Sequence, residues 1–409
     1  MLRVIELFAG IGSQTQALKN IGVDHDVVAI AEIDKYAIKS YEAIHGQKLN
    51  LGDVSTVDVD DIPNCDLLTY SFPCQDISVA GKQKGLDKDS NTRSSLLWEC
   101  ERIIKAKRPK YLLLENVKNL VGKKHKPNFD KWLETLESVG YNNYWKVLNA
   151  KDYGIPQNRE RVFVVSILKE FDNGKFEFPE EQKLTLCLKD LLEDKVDEKF
   201  YLSKEMHDRF VFKPQGDNVI GTTKLPTQKI GQRELVYRPD RVMGALISTD
   251  YKQPKRILLA GNIEGCNFDQ QSRVYNSDGV SPTLNTMSGG DRQPKVLIKN
   301  ATKKGYLEAE VGDGISLSHP NSSTRRGRVQ KQISSTLDTS CNQGVLENGF
   351  KIRKLTPLEC WRLMGFDDDA FYKAEKVNSN TQLYKQAGNS IVVPVLEGIF
   401  RNMLEVESE

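Results

Sequence analysis

Three stretches of the 409-residue chain carry side chains that could do chemistry, two of them directly after apolar runs. Ser71-Phe72-Pro73-Cys74-Gln75 follows the run at 66–70. A cysteine in a loop at a strand end can act as a nucleophile, because the thiolate is the reactive form and nearby positive charge produces it. The alternative is a small buried apolar residue, which the flanking Ser, Pro and Gln disfavour. Glu115-Asn116-Val117 closes the run at 111–114. Partial burial there would keep a carboxyl protonated and able to donate to a ring nitrogen; a helix cap or an exposed acid is the plainer role. Alternation along the stretch from Tyr153 to Val162 puts Gln157, Arg159 and Arg161 on one face. Three donors on one edge suit phosphate or carbonyl oxygens and would favour the Cys74 thiolate, the alternative being an ordinary Arg-bearing edge strand.

A fourth stretch reads as a ligand cradle. Phe8-Ala9-Gly10-Ile11-Gly12-Ser13 ends the first apolar run. Glycines there let the backbone turn tightly and approach a ligand at a helix N-terminus. Thr15 stands where a dinucleotide fingerprint wants a third small residue, which disfavours NAD. Glu32 closes the second predicted strand, where an acid binds ribose hydroxyls, and Asp53 after Gly52 is placed for an adenine amino group. A strand–helix turn without a ligand is the other reading.

These residues need a scaffold, and the patterning supplies one. Predicted strands at 4–8, 27–30, 66–70, 111–114, 145–148 and 162–168 alternate with helical segments such as 14–19, 37–44, 96–106 and 129–139. That order predicts a parallel sheet with helices on both faces and ligands at the carboxyl ends of its strands. Thr356-Pro357-Leu358-Glu359 is a capping-box helix start, predicted to run to Gly365, and a last helix near 392–404 follows Gly388-Asn389-Ser390.

Residues 221–345 differ in texture, being rich in Gly, Ser, Thr, Asn and Gln. They hold 18 basic against 11 acidic residues in a chain whose net charge is +2, so the remainder is acidic. The contrast suits a polyanion-facing module beside a catalytic body, or else a solvated insertion. The window also repeats itself. Arg273-Val274 followed by Pro282-Thr283-Leu284-Asn285-Thr286 parallels Arg328-Val329 followed by Ser335-Thr336-Leu337-Asp338-Thr339, and Lys252-Gln253-Pro254-Lys255 echoes Arg292-Gln293-Pro294-Lys295. The repeats read as duplicated hairpins bearing some contact residues, with Arg325, Arg326 and Arg328 the phosphate candidates.

Composition narrows the class further. Hydrophobic residues at 39% and charged ones at 28% exclude wholesale disorder. No apolar run approaches the ~18 residues of a membrane span. Seven cysteines without a CxxC pair argue against a disulfide framework and a zinc site. A reduced, soluble, intracellular protein without a metal is expected.

In order, FAGIGS, the Glu32 strand end, SFPCQ, ENV, QNRER and QAGNS resemble the DNA (cytosine-5)-methyltransferases of bacterial and phage modification systems, over residues 1–168 and 350–409. The resemblance implies an α/β fold: a Rossmann-like sheet that uses S-adenosylmethionine, with a smaller, mostly irregular or β target-recognition domain. The catalytic domain would span 1–170, completed by about 380–409, and recognition would occupy 171–379. Cys74 would attack C6 of a cytosine flipped out of duplex DNA, and Glu115 would contact N3 and the exocyclic amine. Arg161, supported by Arg159 and Gln157, would hold the flipped nucleotide. Phe8, Gly10, Ile11, Gly12, Glu32, Asp53, Pro73 and Asn389 would line the cofactor pocket. Residues 75–93 have the length and composition of a closing lid, with Gln75 or Ser78 at the DNA. Ser13 departs from a frequent glycine, and Ile33 from an aromatic that often stacks on adenine. A cytoplasmic monomer acting on duplex DNA follows, with any cognate restriction endonuclease acting independently. The rivals are a tRNA cytosine-5 methyltransferase and a non-catalytic DNA-binding protein on this scaffold.

Overall fold

The computed structural model describes residues 1–73, 96–203, 219–222, 235–237, 256–257, 260–262, 273–275, 296–303, 305–320, 322, 324–340, 342–347 and 352–405. They form two compact units, one of Met1–Glu193, Ser335–Cys341 and Thr356–Glu409, the other of Asp194–Ser334 and Asn342–Leu355.

The first unit is built on a six-stranded sheet. Its strands are β1 (Leu2–Leu7), β2 (His25–Ala31), β3 (Leu67–Tyr70), β4 (Tyr111–Val117), β5 (Tyr141–Asn149) and β7 (Glu160–Leu168), with a two-residue β6 (Gln157–Asn158) outside it. Their order is β2-β1-β3-β4-β7-β5. All four residues of β3 are buried, as a strand covered on both faces requires. On one face, α3 (Leu97–Lys107) and α4 (Lys126–Val139) close a core that includes Ile5, Leu7, Leu114, Ile104, Phe129 and Trp132. Helix α1 (Ser13–Asn20) packs instead against the last helix, Val393–Leu404.

The expectation of a wholly parallel sheet needs correcting. β1 to β4 are parallel, but β7 runs antiparallel to both β4 and β5. Only a single 3-10 turn (Ala150–Tyr153) and β6 separate β5 from β7. A parallel neighbour needs a crossover of a dozen residues or more, so the short link forces the chain back beside itself. The register aligns Glu115 with Phe163 and Val117 with Arg161.

The domain boundaries also move. Residues 171–193 and 356–379 cluster with the sheet, because Glu193 N–H donates to Glu359 at 2.9 Å and Arg362 to the Leu191 carbonyl at 3.1 Å. The capping box forms: the Thr356 hydroxyl accepts from Glu359 N–H at 3.2 Å and Glu359 accepts from Thr356 N–H at 2.8 Å. It starts α5 (Pro357–Arg362), which ends three residues before Gly365; α6 (Asp368–Glu375), α7 (Asn380–Asn389) and α8 (Val393–Leu404) follow.

The second unit contains short strands. Gly314–Ser316 lies between Val329–Gln330 and Gln343–Leu346, with Ile352–Lys354 beside the latter, over a small core of Ile298, Ala309, Ile315, Leu317, Leu346 and Ile352. Among the described residues no helix is long and apolar enough to cross a membrane, and no His/Cys/Asp/Glu group could hold a metal.

Candidate active site

The cradle at the end of β1 is made by backbone conformation. Phe8, Gly10 and Gly12 all take positive φ, of 59°, 58° and 80°. Only glycine adopts that region freely, so Phe8 carries a strain of roughly 1–2 kcal/mol that the surroundings must impose. Gly10 faces open space, whereas a Cβ on Gly12 would lie 2.6 Å from His45 and 2.8 Å from Tyr41. The first glycine therefore leaves room for a ligand, and the second lets α2 (Lys35–His45) press against the turn.

Two acids hold this cradle. Glu32, at the carboxyl end of β2, accepts Gly10 N–H at 2.9 Å and the N–H groups of Ile33 and Asp34 at 2.8 Å. The Asn50 side-chain amide fixes Glu32 in turn, accepting its backbone N–H at 3.1 Å and donating to its carbonyl at 3.0 Å. Ile33 is 73% exposed beside it, and Asp53 is exposed with one oxygen held by Ser55. The second acid is Glu6, which the sequence reading missed. It is fully buried and accepts both Thr15 N–H and the Thr15 hydroxyl at 2.8 Å, while that hydroxyl meets Tyr41 Oη at 3.0 Å. Burial pushes the Glu6 carboxyl up to about 7 against the opposing hydrogen bonds. Tyr41 stacks edge-on with His45, and the imidazole Nε2–H donates to the Ile11 carbonyl at 3.1 Å. Burial holds that imidazole down to about 4, so it is neutral near pH 7. The only sequence signal was an acid inside the apolar run VIEL.

A second group lies on the adjoining strands, at the ends of β3 and β4. Asn116 donates to the Phe72 carbonyl at 2.9 Å, which ties the Ser71–Pro73 backbone to the end of β4. Glu115 is 8% exposed, and the Arg161 guanidinium sits 3.1 Å from its carboxylate. Burial raises its pKa; Arg161, Arg159 and a hydrogen bond from Ser71 oppose that without cancelling it. Burial that favours the protonated carboxyl beside a fixed guanidinium suits donation to a base nitrogen. Cys74, Gln75 and Ser78 lie outside the described residues, as does the expected lid.

Three residues expected at a ligand face the protein instead. Arg159 is 3% exposed and donates to the carbonyls of Leu337 (3.1 Å), Gly388 (3.1 Å) and Ser390 (2.7 Å). It stands in a clamp that holds the backbone on either side of the exposed Asn389. Gln157 is fully buried; its amide donates to the Leu363 carbonyl at 2.7 Å and accepts Leu337 N–H at 3.2 Å, so it binds this chain and not DNA. Arg328 is 1% exposed, with its guanidinium spent on the Ser318 (3.1 Å) and His319 (2.6 Å) carbonyls. It braces a loop and is withdrawn as a phosphate contact, whereas Arg325 and Arg326 are exposed. Ser13, the departure from glycine, accepts Ile391 N–H at 3.3 Å and joins the cradle to the segment after α7.

The pattern of the C-5 cytosine-specific DNA methylases matches residues 2–405 of the chain. Type II methyltransferase M2.ScrFI of Lactococcus lactis subsp. cremoris is 37% identical, with 99% of each chain covered. Orphan methyltransferase M.SPBetaI of Bacillus phage SPbeta is 34% identical over 98% of this chain and 97% of its own. Among solved structures, the Entamoeba histolytica methyltransferase EhMeth superposes with a TM-score of 0.58 at 17% identity, over 100% of this chain and 99% of that one, which shows a shared fold.

Proposed function

Because this chain belongs to the C-5 cytosine-specific DNA methylase family, and is thereby a DNA (cytosine-5-)-methyltransferase, we propose that Cys74, Glu115 and Arg161 perform the chemistry on one cytosine held out of the duplex. The observation that carries this reading is the buried Glu115, paired with Arg161 at 3.1 Å beside the strand end that leads into Cys74.

Cytosine C5 is a poor nucleophile. The Cys74 thiolate adds at C6, and the pair of electrons displaced from the C5–C6 bond makes C5 enamine-like. Charge arriving at N3 is met by Glu115, whose protonated, donating form is favoured by burial. Arg161 holds the Glu115 carboxyl in line and faces the nucleotide. After transfer the C5 proton leaves to a base, the ring double bond re-forms, and the thiolate departs. A base stacked in a duplex offers neither face, so flipping precedes all of this at a cost of a few kcal/mol.

S-adenosylmethionine is the cofactor that these residues fit. The open face of Gly10, the carboxylate of Glu32 and the uncovered Ile33 make a cradle for a nucleoside. Phe8, Ile11, Gly12, Asp53, Pro73 and Asn389 complete the proposed set. When bound, this group supplies an electron-poor methyl carbon on a sulfonium. Its relatives are bacterial and phage enzymes, and a cytoplasmic enzyme acting as a monomer on duplex DNA is the setting proposed.

Trapping tests the nucleophile. Duplex DNA carrying 5-fluorocytosine at target positions should give a denaturation-resistant adduct with the cofactor-loaded protein, since fluorine does not leave C5 as a proton does. Cys74→Ser should give none. An adduct that survives that substitution removes Cys74 from the mechanism.

A further inference from the structure

Glu6 has no task in the reaction drawn above, yet it lies beneath the cofactor cradle. Gly10, whose face is open, stands four residues along the chain, within roughly 14 Å. The first turn of a helix presents unsatisfied N–H groups, and in many doubly wound sheets a ligand phosphate takes them. Here the chain supplies its own acceptor: Glu6 Oε1 takes both Thr15 N–H and the Thr15 hydroxyl at 2.8 Å. An anion is thus built into the turn. A negative group of a ligand meets repulsion there, and a positive one attraction.

That charge is only partly quenched by its surroundings. The register pairs Glu6 of β1 with Thr69 of β3, so both side chains share the sheet face turned toward α1. Both residues are fully buried, and neither Glu6 Oε2 nor Thr69 Oγ1 has a hydrogen-bond partner among the described residues. One carboxylate oxygen therefore accepts two donors and the other none, which leaves the ionised form felt at a distance. The groups that face it are few. From α1 comes Thr15; from α2 comes the Tyr41 hydroxyl, which burial keeps protonated, with the neutral His45 beyond it. Lys48, after α2, is already held by Asp26 at 3.2 Å. Burial outweighs all of these, and Glu6 exchanges its proton at about 7. S-adenosylmethionine carries a positive sulfonium, whereas methyl transfer leaves S-adenosylhomocysteine, a neutral thioether. The two ligands differ only in one methyl group and its charge.

We infer that Glu6 is a specificity-determining residue of the cofactor site: ionised, it favours the sulfonium cofactor over the thioether product, and protonated it loses that preference. The inference rests on the cofactor reading above. Calorimetric titration of the full chain with each ligand from pH 6 to pH 8 tests it. The ratio of dissociation constants, product over cofactor, should rise with pH, and by about fivefold more in the parent than in Glu6→Gln. The ligands' own amino groups titrate alike with both proteins, so the difference between them isolates Glu6. A purely structural role would scale both constants together and leave the ratio flat. Thr15→Val removes one donor to the ionised carboxylate, and should move the midpoint of the rise to higher pH; it carries the test where Glu6→Gln does not fold. A rise shared equally by parent and Glu6→Gln, or a midpoint that Thr15→Val leaves in place, overturns the inference and leaves the cofactor standing. Binding of neither ligand at any pH overturns both.

Discussion

Glu115 sits where burial and positive charge pull its proton in opposite directions, and burial prevails. Replacing it with Gln keeps the size and leaves a weaker donor at N3, so the methyl-transfer rate should fall about 100-fold while DNA affinity holds. The sign of the pH effect follows from a raised pKa: the proton is retained at low pH and lost as pH rises through the folded value. Single-turnover rates should therefore decline on the alkaline side for the parent, a limb that Glu115→Gln lacks. A limb that persists in the variant would assign it to another group. At this scale the sequence was legible in placement: Glu32, Glu115 and the Gly10–Gly12 turn stand at the strand ends where the apolar pattern put them. It was misleading at Gln157, Arg159 and Arg328. An arginine that will grip three carbonyls is spelled the same as one that will grip a phosphate, and only burial separates them.

Among the elements, the Arg159 clamp makes a definite demand. Arg159→Ala strands the carbonyls of Leu337, Gly388 and Ser390. Losing hydrogen bonds from a charged donor at buried acceptors should cost about 3 kcal/mol, and lower the thermal midpoint by roughly 5 °C. Arg159→Lys should recover part of this. A variant as stable as the parent but without activity would return Arg159 to the substrate. The sheet was legible because most of its strands are apolar runs bounded by turn residues; the edge strand β5, YNNYWKVLN, is the exception. Its one reversed strand was not, since direction is set by the length of the β5–β7 link and leaves no trace in the apolar pattern. The capping box at Thr356 was legible in full, being a local motif that needs no distant partner.

On the scale of the whole molecule, Glu6 couples stability to pH. Its folded pKa of about 7 lies above the ordinary carboxyl value of 4.5, so the protonated side chain favours the fold. That contribution is complete below pH 4.5 and is lost as pH rises through about 7, amounting to roughly 3 kcal/mol for this fully buried group. Unfolding free energies at pH 5 and pH 8 should differ by most of this amount, with the higher value at pH 5, and Glu6→Gln should narrow the gap. An unchanged gap would place the linkage elsewhere. Unit boundaries were the least legible feature, because what assigns a segment to a body is partners distant in sequence, such as Glu193 with Glu359. Ser335–Cys341 illustrates this most clearly: seven residues that belong with the sheet, flanked on both sides by chain that does not. An engineer exchanging specificity between such enzymes would therefore need four cuts in the gene, near 193, 334, 341 and 355. A two-cut graft would carry away the recipient's own Leu337 segment that Arg159 holds, and would be expected to yield misassembled chimeras even when the imported reader is sound.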